Sequence, residues 1–221
     1  MIRGGKIGKI YDACTFESFV DVPGTDAAVA ACRKVESGES GGVVLLGPVG
    51  TGKTHLLVAL AREFGREPAE IEVDPEDVVA IPNVRELIAK VEADALLDAG
   101  PPRLTPEEMA GRTVEFWMLL DLARELRREI MSGEQQLSER CCACDLLILD
   151  DFGQERTKDF ILEELGRIID WRYRDALPIG ISSNLTLADI KAKYGDRWLS
   201  RWSQHCTIVD IKAADYRTRR R

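Results

Sequence analysis

The segment Gly47-Pro48-Val49-Gly50-Thr51-Gly52-Lys53-Thr54 spaces glycines ahead of a lysine and a threonine in the order G-x-x-x-x-G-K-T. Glycines there let the backbone wrap so that successive N–H groups point at one spot, an anion nest that the N-terminus of a following helix reinforces. The Lys53 ammonium would neutralise β- and γ-phosphate charge and the Thr54 hydroxyl would ligate Mg²⁺, so binding of a nucleoside triphosphate is expected. Further along, Leu146-Leu147-Ile148-Leu149-Asp150-Asp151 delivers two carboxylates at the end of an apolar run. Asp150 is expected to hold Mg²⁺, through water, and Asp151 to orient an attacking water and take its proton. After Ser182-Ser183, Asn184 offers a neutral amide for a γ-phosphate or lytic water, a turn or N-cap role being the competing reading. Arg197 and Arg201 stand four apart in Asp196-Arg197-Trp198-Leu199-Ser200-Arg201. Such pairs are commonly solvated or salt-bridged; the sharper expectation is that one enters a neighbouring subunit's nucleotide site.

Other reactive residue types carry less. Cys141, Cys142 and Cys144 are too few for a four-ligand zinc site, and neither histidine lies near them in sequence. With Cys14, Cys32 and Cys206 they show no disulfide framework and are expected to be free thiols. Arg124, Arg127 and Arg128 fall opposite the apolar face of their segment, either as a DNA-facing patch or as a solvated face.

The elements that must hold these groups alternate between two periods. Val43–Leu46, Thr113–Trp117, Leu146–Leu149 and Ile179–Ser182 read as strands buried on both faces. A helix is predicted from Lys53 to Phe64, closed by Gly65, and helix-period stripes follow the second and third strands. Strands alternating with helices imply an α/β fold with a parallel sheet covered on both faces. Residues 66–112 interrupt this rhythm with six of the nine prolines and 12 acids against 5 bases. They are read as an acidic insertion within a single domain spanning 1–221, containing an amphipathic helix at 83–99, and serve either as a solvated excursion or as a partner-docking surface.

Composition narrows the class. At 45% hydrophobic and 31% charged residues the chain can bury a core, which excludes wholesale disorder. No apolar run approaches the ~20 residues of a membrane span, so no membrane partner and a cytoplasmic location are expected. The net charge of −8 hides a basic end, since residues 191–221 hold 9 bases and 3 acids. A local excess of this kind can meet nucleic acid despite an acidic total.

The motifs in this order resemble the DnaC/IstB branch of AAA+ ATPases, helicase loaders and transposition helper ATPases. The resemblance covers Thr15–Arg221 outside the insertion. It runs through Thr15-Phe16-Glu17-Ser18-Phe19, the phosphate loop with His55-Leu56, and Leu146 to Gly153. It continues with Ile168-Ile169-Asp170-Trp171-Arg172-Tyr173-Arg174, Ser182 to Leu185, Tyr194 to Arg201, and Asp215-Tyr216-Arg217. It implies a P-loop (AAA+) sheet without a full lid domain, binding ATP with Mg²⁺. The implied protein is an ATP-dependent homo-oligomer acting on single-stranded DNA with a replicative helicase or a transposase as client, a helicase loader being the leading reading and an IstB-type transposase helper the alternative. Residue by residue, Lys53 and Thr54 match Walker A, Asp150 and Asp151 Walker B, and Asn184 sensor 1. Arg201 matches the arginine finger with Arg197 as understudy, and Arg217 a sensor-2-like arginine. The implied nucleotide-binding set is Gly47, Pro48, Val49, Gly50, Thr51, Gly52, Lys53, Thr54 and His55, with Phe16, Phe19 and Pro23 beside the adenine. The branch usually carries an N-terminal partner-binding extension and a smaller insertion, so the client is expected to be met differently here. A monomeric P-loop kinase would share the phosphate loop but give no reason for Asn184 and Arg201, while a nucleotide-gated binding module would share every residue and lack turnover.

Overall fold

A parallel sheet brings the phosphate loop, Asp151 and Asn184 to one edge. The computed structural model describes residues 2–5, 7–20, 22–66, 112–133, 136–154 and 159–216, the side chains of 159 and 160 apart. The helix expected at 83–99, residues 67–111 of the insertion and Arg217 lie outside the described residues. The strands are β1 (Ile2–Gly4), β2 (Gly42–Leu46), β3 (Val114–Met118), β4 (Leu146–Phe152), β5 (Ile179–Ser183) and β6 (Thr207–Asp210). They pair in parallel in the order β1-β3-β4-β5-β2-β6. The helices are α1 (Asp26–Glu36), α2 (Lys53–Phe64), α3 (Leu119–Ser132), α4 (Gln136–Ala143), α5 (Asp159–Arg174), α6 (Leu187–Tyr194) and α7 (Asp196–His205). No described helix is long and apolar enough to cross a membrane.

The apolar runs form two-sided strands because alternate side chains feed different cores. Val43 and Leu45 of β2, with Leu146 and Ile148 of β4, pack against α1 and α2. Val44 and Leu46, with Leu147 and Leu149, pack against α3, α4, α5 and α7. The helix expected at Lys53–Phe64 is α2, and Gly65 is its C-cap. β4 runs three residues beyond its expected end, so Asp150 and Asp151 belong to the strand rather than to a loop after it.

Strand order explains how distant motifs meet. β5 lies between β2 and β4, so Thr54, at the start of the helix after β2, and Asp150, on β4, face each other across the end of β5. Pairing between β4 and β5 skips from Leu149 to Phe152, a bulge within which Asp151 takes a left-handed φ of 55°. Bulges of this kind re-aim a side chain at the cost of local regularity.

The three clustered cysteines belong to the core. Cys141, Cys142 and Cys144 are buried at the end of α4, and no metal-ligating cluster occurs among the described residues. Arg172 of α5, 1% exposed, donates from Nη1 to the carbonyls of Cys141 (2.9 Å) and Cys144 (2.8 Å) and from Nη2 to that of Pro178 (2.6 Å). One buried guanidinium thereby joins the end of α4 and the approaches to β4 and β5.

Candidate nucleotide site

The phosphate loop leaves β2 at Gly47 and enters α2 at Lys53. Gly52 caps α2 at φ 86°, and a Cβ there would lie 2.6 Å from Phe19 Cε2, so both conformation and space require glycine. Lys53 is 5% exposed, and its ammonium donates to the carbonyl oxygens of Gly47 (2.8 Å) and Pro48 (2.7 Å). Its charge therefore sits over the loop that phosphates would enter.

Opposite the loop, Asp150 is fully buried. Its Oδ1 accepts from Thr54 Oγ1 (3.2 Å) and from Ser182 Oγ, while its Oδ2 has no hydrogen-bond partner. Burial pushes this carboxyl's pKa up, and the neighbouring Asp151 charge adds to the effect against the two hydroxyl bonds. A carboxylate with one bare oxygen beside a threonine hydroxyl is the donor set a hydrated Mg²⁺ takes, and the residues fit that ion. Ser182 also accepts from the Asp151 N–H (3.0 Å), so one β5 hydroxyl fixes both acids. Asp151, Gln154 and Asn184 line the same cleft, of about 780 Å³, as Lys53 and Thr54.

The other end of the cleft is formed by the N-terminal loop and a C-terminal segment. Phe19 lines the cleft and meets the His55 ring edge-on at 5.2 Å. His55 Nε2 donates to the Thr15 carbonyl (2.8 Å), anchoring that loop to α2. Phe16 does not line the cleft: it is 7% exposed in the core under the Arg33 guanidinium (4.0 Å), and Pro23 is exposed outside the cleft. Expecting both at the adenine overlooked the turn at Thr15–Phe19, closed by the bond from Thr15 N to Ser18 Oγ (2.9 Å), which leaves Phe19 alone of the three facing inward. Tyr11 and Tyr216 also line the cleft, and Tyr216 N donates to the Gly50 carbonyl (3.0 Å). Of the expected loop set, Val49 to His55 line it; Gly47 and Pro48 contribute the carbonyls that hold Lys53.

Arg197 and Arg201 do not line this cleft. Both reach Asp170 of α5, Arg197 through Oδ2 and Arg201 through Oδ1. Arg124, Arg127 and Arg128 are exposed on α3, where Arg124 pairs with Asp121 (3.3 Å) and Arg128 with Glu125 (2.7 Å). Ser182, Asp170 and Arg172 were not singled out from sequence. Serine at the end of a buried apolar strand, at a register that faces two acids, is the signal that would have found the first.

A family model described as IstB-like ATP binding protein matches residues 108–221, just over half of the chain. The chain belongs to the IstB-like ATP-binding protein family. By fold it is a P-loop α/β sheet of the AAA+ kind. No curated protein sequence matches it. Among solved structures, this IstB-like protein is similar to the DnaC helicase loader, with 21% identity and a TM-score of 0.66 over 93% of this chain and 100% of that one. A putative primosome component from Streptococcus pyogenes serotype M3 gives 20% identity and a TM-score of 0.63 over 97% and 94%. The replication initiator DnaA bound to AMPPCP and single-stranded DNA gives 21% and 0.62 over 92% of this chain and 51% of that one. At these identities the likeness is one of fold.

Proposed function

We propose that this IstB-like protein hydrolyses ATP and, as a cytoplasmic ATP-dependent homo-oligomer, acts on single-stranded DNA with a protein client, a replicative helicase in the DnaC manner. The observation that carries the reading is the convergence of Lys53, Thr54, Asp151 and Asn184 on one cleft, with Asp150 buried behind Thr54 and one of its oxygens left bare. On binding, the Lys53 ammonium exchanges two loop carbonyls for β- and γ-phosphate oxygens, and the loop N–H groups cradle the rest of the phosphate charge. Thr54 and Asp150 would hold Mg²⁺, which would supply positive charge against that of the phosphates. Asp151, its backbone fixed by Ser182, aims a carboxylate at the attacking water and takes its proton; Asn184 positions that water or the γ-phosphate. The arginine of a neighbouring subunit, Arg201 with Arg197 as understudy, completes the charge balance, and Arg217 would contact the nucleotide as a sensor.

Similarity to a helicase loader and to an initiator solved with single-stranded DNA supports the DNA and helicase assignments. The match to the IstB-like family supports the second reading, assistance to a transposase. The test is ATP turnover by the purified protein with single-stranded DNA and, in separate arms, the host's replicative helicase or a transposase. Stimulation by helicase and DNA supports the loader, and stimulation by transposase alone supports the second reading. DNA binding should weaken with salt through counterion release and fall when Arg124, Arg127 and Arg128 are neutralised together. Unchanged DNA affinity in that triple variant returns α3 to a solvated face.

A further inference from the structure

Both candidate finger arginines depend on a single carboxylate. Asp170, in the last turn and a half of α5, presents Oδ1 to Arg201 Nη1 and Oδ2 to Arg197 Nη2. The two guanidiniums are one helical turn apart on α7 and would repel without it. Their exposures differ: the Arg201 side chain is 21% exposed and lies 5.9 Å from the Tyr173 ring centroid, while Arg197 is 70% exposed. The groove around them is otherwise cationic, with Arg167, Arg174 and Lys193 on its walls, and Glu163 is the other acid lining it.

From this geometry we infer that Asp170 is a positioning residue for the arginine that acts across the subunit interface, a role that rests on the trans arginine of the proposed function. It holds Arg201 in one rotamer against Tyr173 and keeps Arg197 from displacing it. A neighbour's triphosphate therefore meets a guanidinium already ordered in the groove. Losing the carboxylate returns rotamer freedom to both arginines and adds their mutual repulsion. Ordering one such side chain on association accounts for a drop of about three- to ten-fold in assembled turnover, with nucleotide affinity of the isolated subunit unchanged.

The test places one substitution on either side of a mixed interface. Lys53→Ala protein cannot use its own site but offers Arg201; Arg201→Ala protein has an intact phosphate loop and lacks that arginine. Their mixture should recover turnover where the two meet. Asp170→Asn added to the Lys53→Ala chain should cut the recovered kcat about three- to ten-fold at unchanged KM. The same change on the Arg201→Ala chain should leave recovery intact, and Asp170→Glu on the Lys53→Ala chain should restore most of it. Equal loss from both placements would show a merely structural role and overturn the inference, as would no loss from either. If Asp170→Asn does not fold, Asp170→Ser in the same two placements decides: equal loss in both, or loss in neither, overturns the inference, and loss confined to the Lys53→Ala chain supports it. Absence of any recovery in the parent mixture would instead overturn the trans arginine itself, and this inference with it.

Discussion

Replacing Arg172 with methionine removes the guanidinium and keeps much of its volume, so the change reads hydrogen bonding more than cavity formation. The side chain is 1% exposed and donates to carbonyls of Cys141, Cys144 and Pro178 at 2.6 to 2.9 Å, with longer contacts to Cys142 (3.3 Å) and Asp145 (3.5 Å). Desolvation opposes these bonds: burial pulls the guanidinium's pKa down, and its Nε has no partner. Removing the donor nevertheless takes from three carbonyls a bond to a charged group, each worth about 1.5–3 kcal/mol. With the relief of burying the charge set against them, a net loss of about 3–5 kcal/mol is expected. At roughly 2–4 °C per kcal/mol for a chain of this size, the melting temperature should fall by about 6–20 °C. Thermal unfolding followed by circular dichroism reads this directly. At 15 °C, well below the transition, the variant should still bind an ATP analogue, because Arg172 joins the approaches to β4 and β5 and touches no cleft residue. A melting temperature within 2 °C of wild type would refute the view that this guanidinium ties α4 to the sheet.

Asp150→Asn should raise the melting temperature of the nucleotide-free protein by about 2–4 °C, since a buried carboxylate with a bare oxygen is a burden of roughly 1 kcal/mol, and should abolish Mg²⁺-dependent turnover. Because burial raises this carboxyl's folded pKa above its unfolded value, the burden is fully present above the folded pKa and lifts as pH falls through it. The stability gap between variant and wild type should therefore narrow on acidification; a gap that widens contradicts the assignment. Gly52→Ala should lower ATP-analogue affinity at least about ten-fold, because alanine at φ 86° costs about 1–2 kcal/mol and its methyl would displace Phe19 from the cleft. Equilibrium titration of a fluorescent analogue measures it, and wild-type affinity would show that the loop conformation is not needed for binding.

The sheet and the phosphate end were legible because their signals are local. Val43–Leu46 and Leu146–Leu149 are apolar at every position, which only burial on both faces explains, and Gly47–Thr54 carries its conformation in its glycines. What escaped depends on pairing across the fold. Ser182 matters because β5 intervenes between β2 and β4, and strand order is not written in any one segment. Arg172 stands one helical turn beyond Ile168 in α5 and reads as surface until the carbonyls at the end of α4, some thirty residues back, are placed against it. Asp170 likewise gains its meaning from α7, 27 residues away. β1 and β6 are short strands at the two sheet edges, with partly exposed residues and no apolar run to mark them. The resemblance puts Phe16 beside the adenine, whereas the Thr15–Ser18 turn leaves Phe19, not Phe16, lining the cleft.

Hydrolysis in this cleft is tested most directly with Asp151→Asn, by measuring ATP affinity and single-turnover cleavage on the same preparation, with single-stranded DNA present. Lys53, Thr54 and Asp150 are untouched, and the Asp151 N–H can still donate to Ser182, so affinity should stay within about two-fold of wild type (~0.4 kcal/mol). Cleavage should fall at least about a hundred-fold, the contribution expected of a positioned general base. Wild-type cleavage by the asparagine variant would contradict the account, because it would leave the acid at the bulge of β4 with no part in the chemistry.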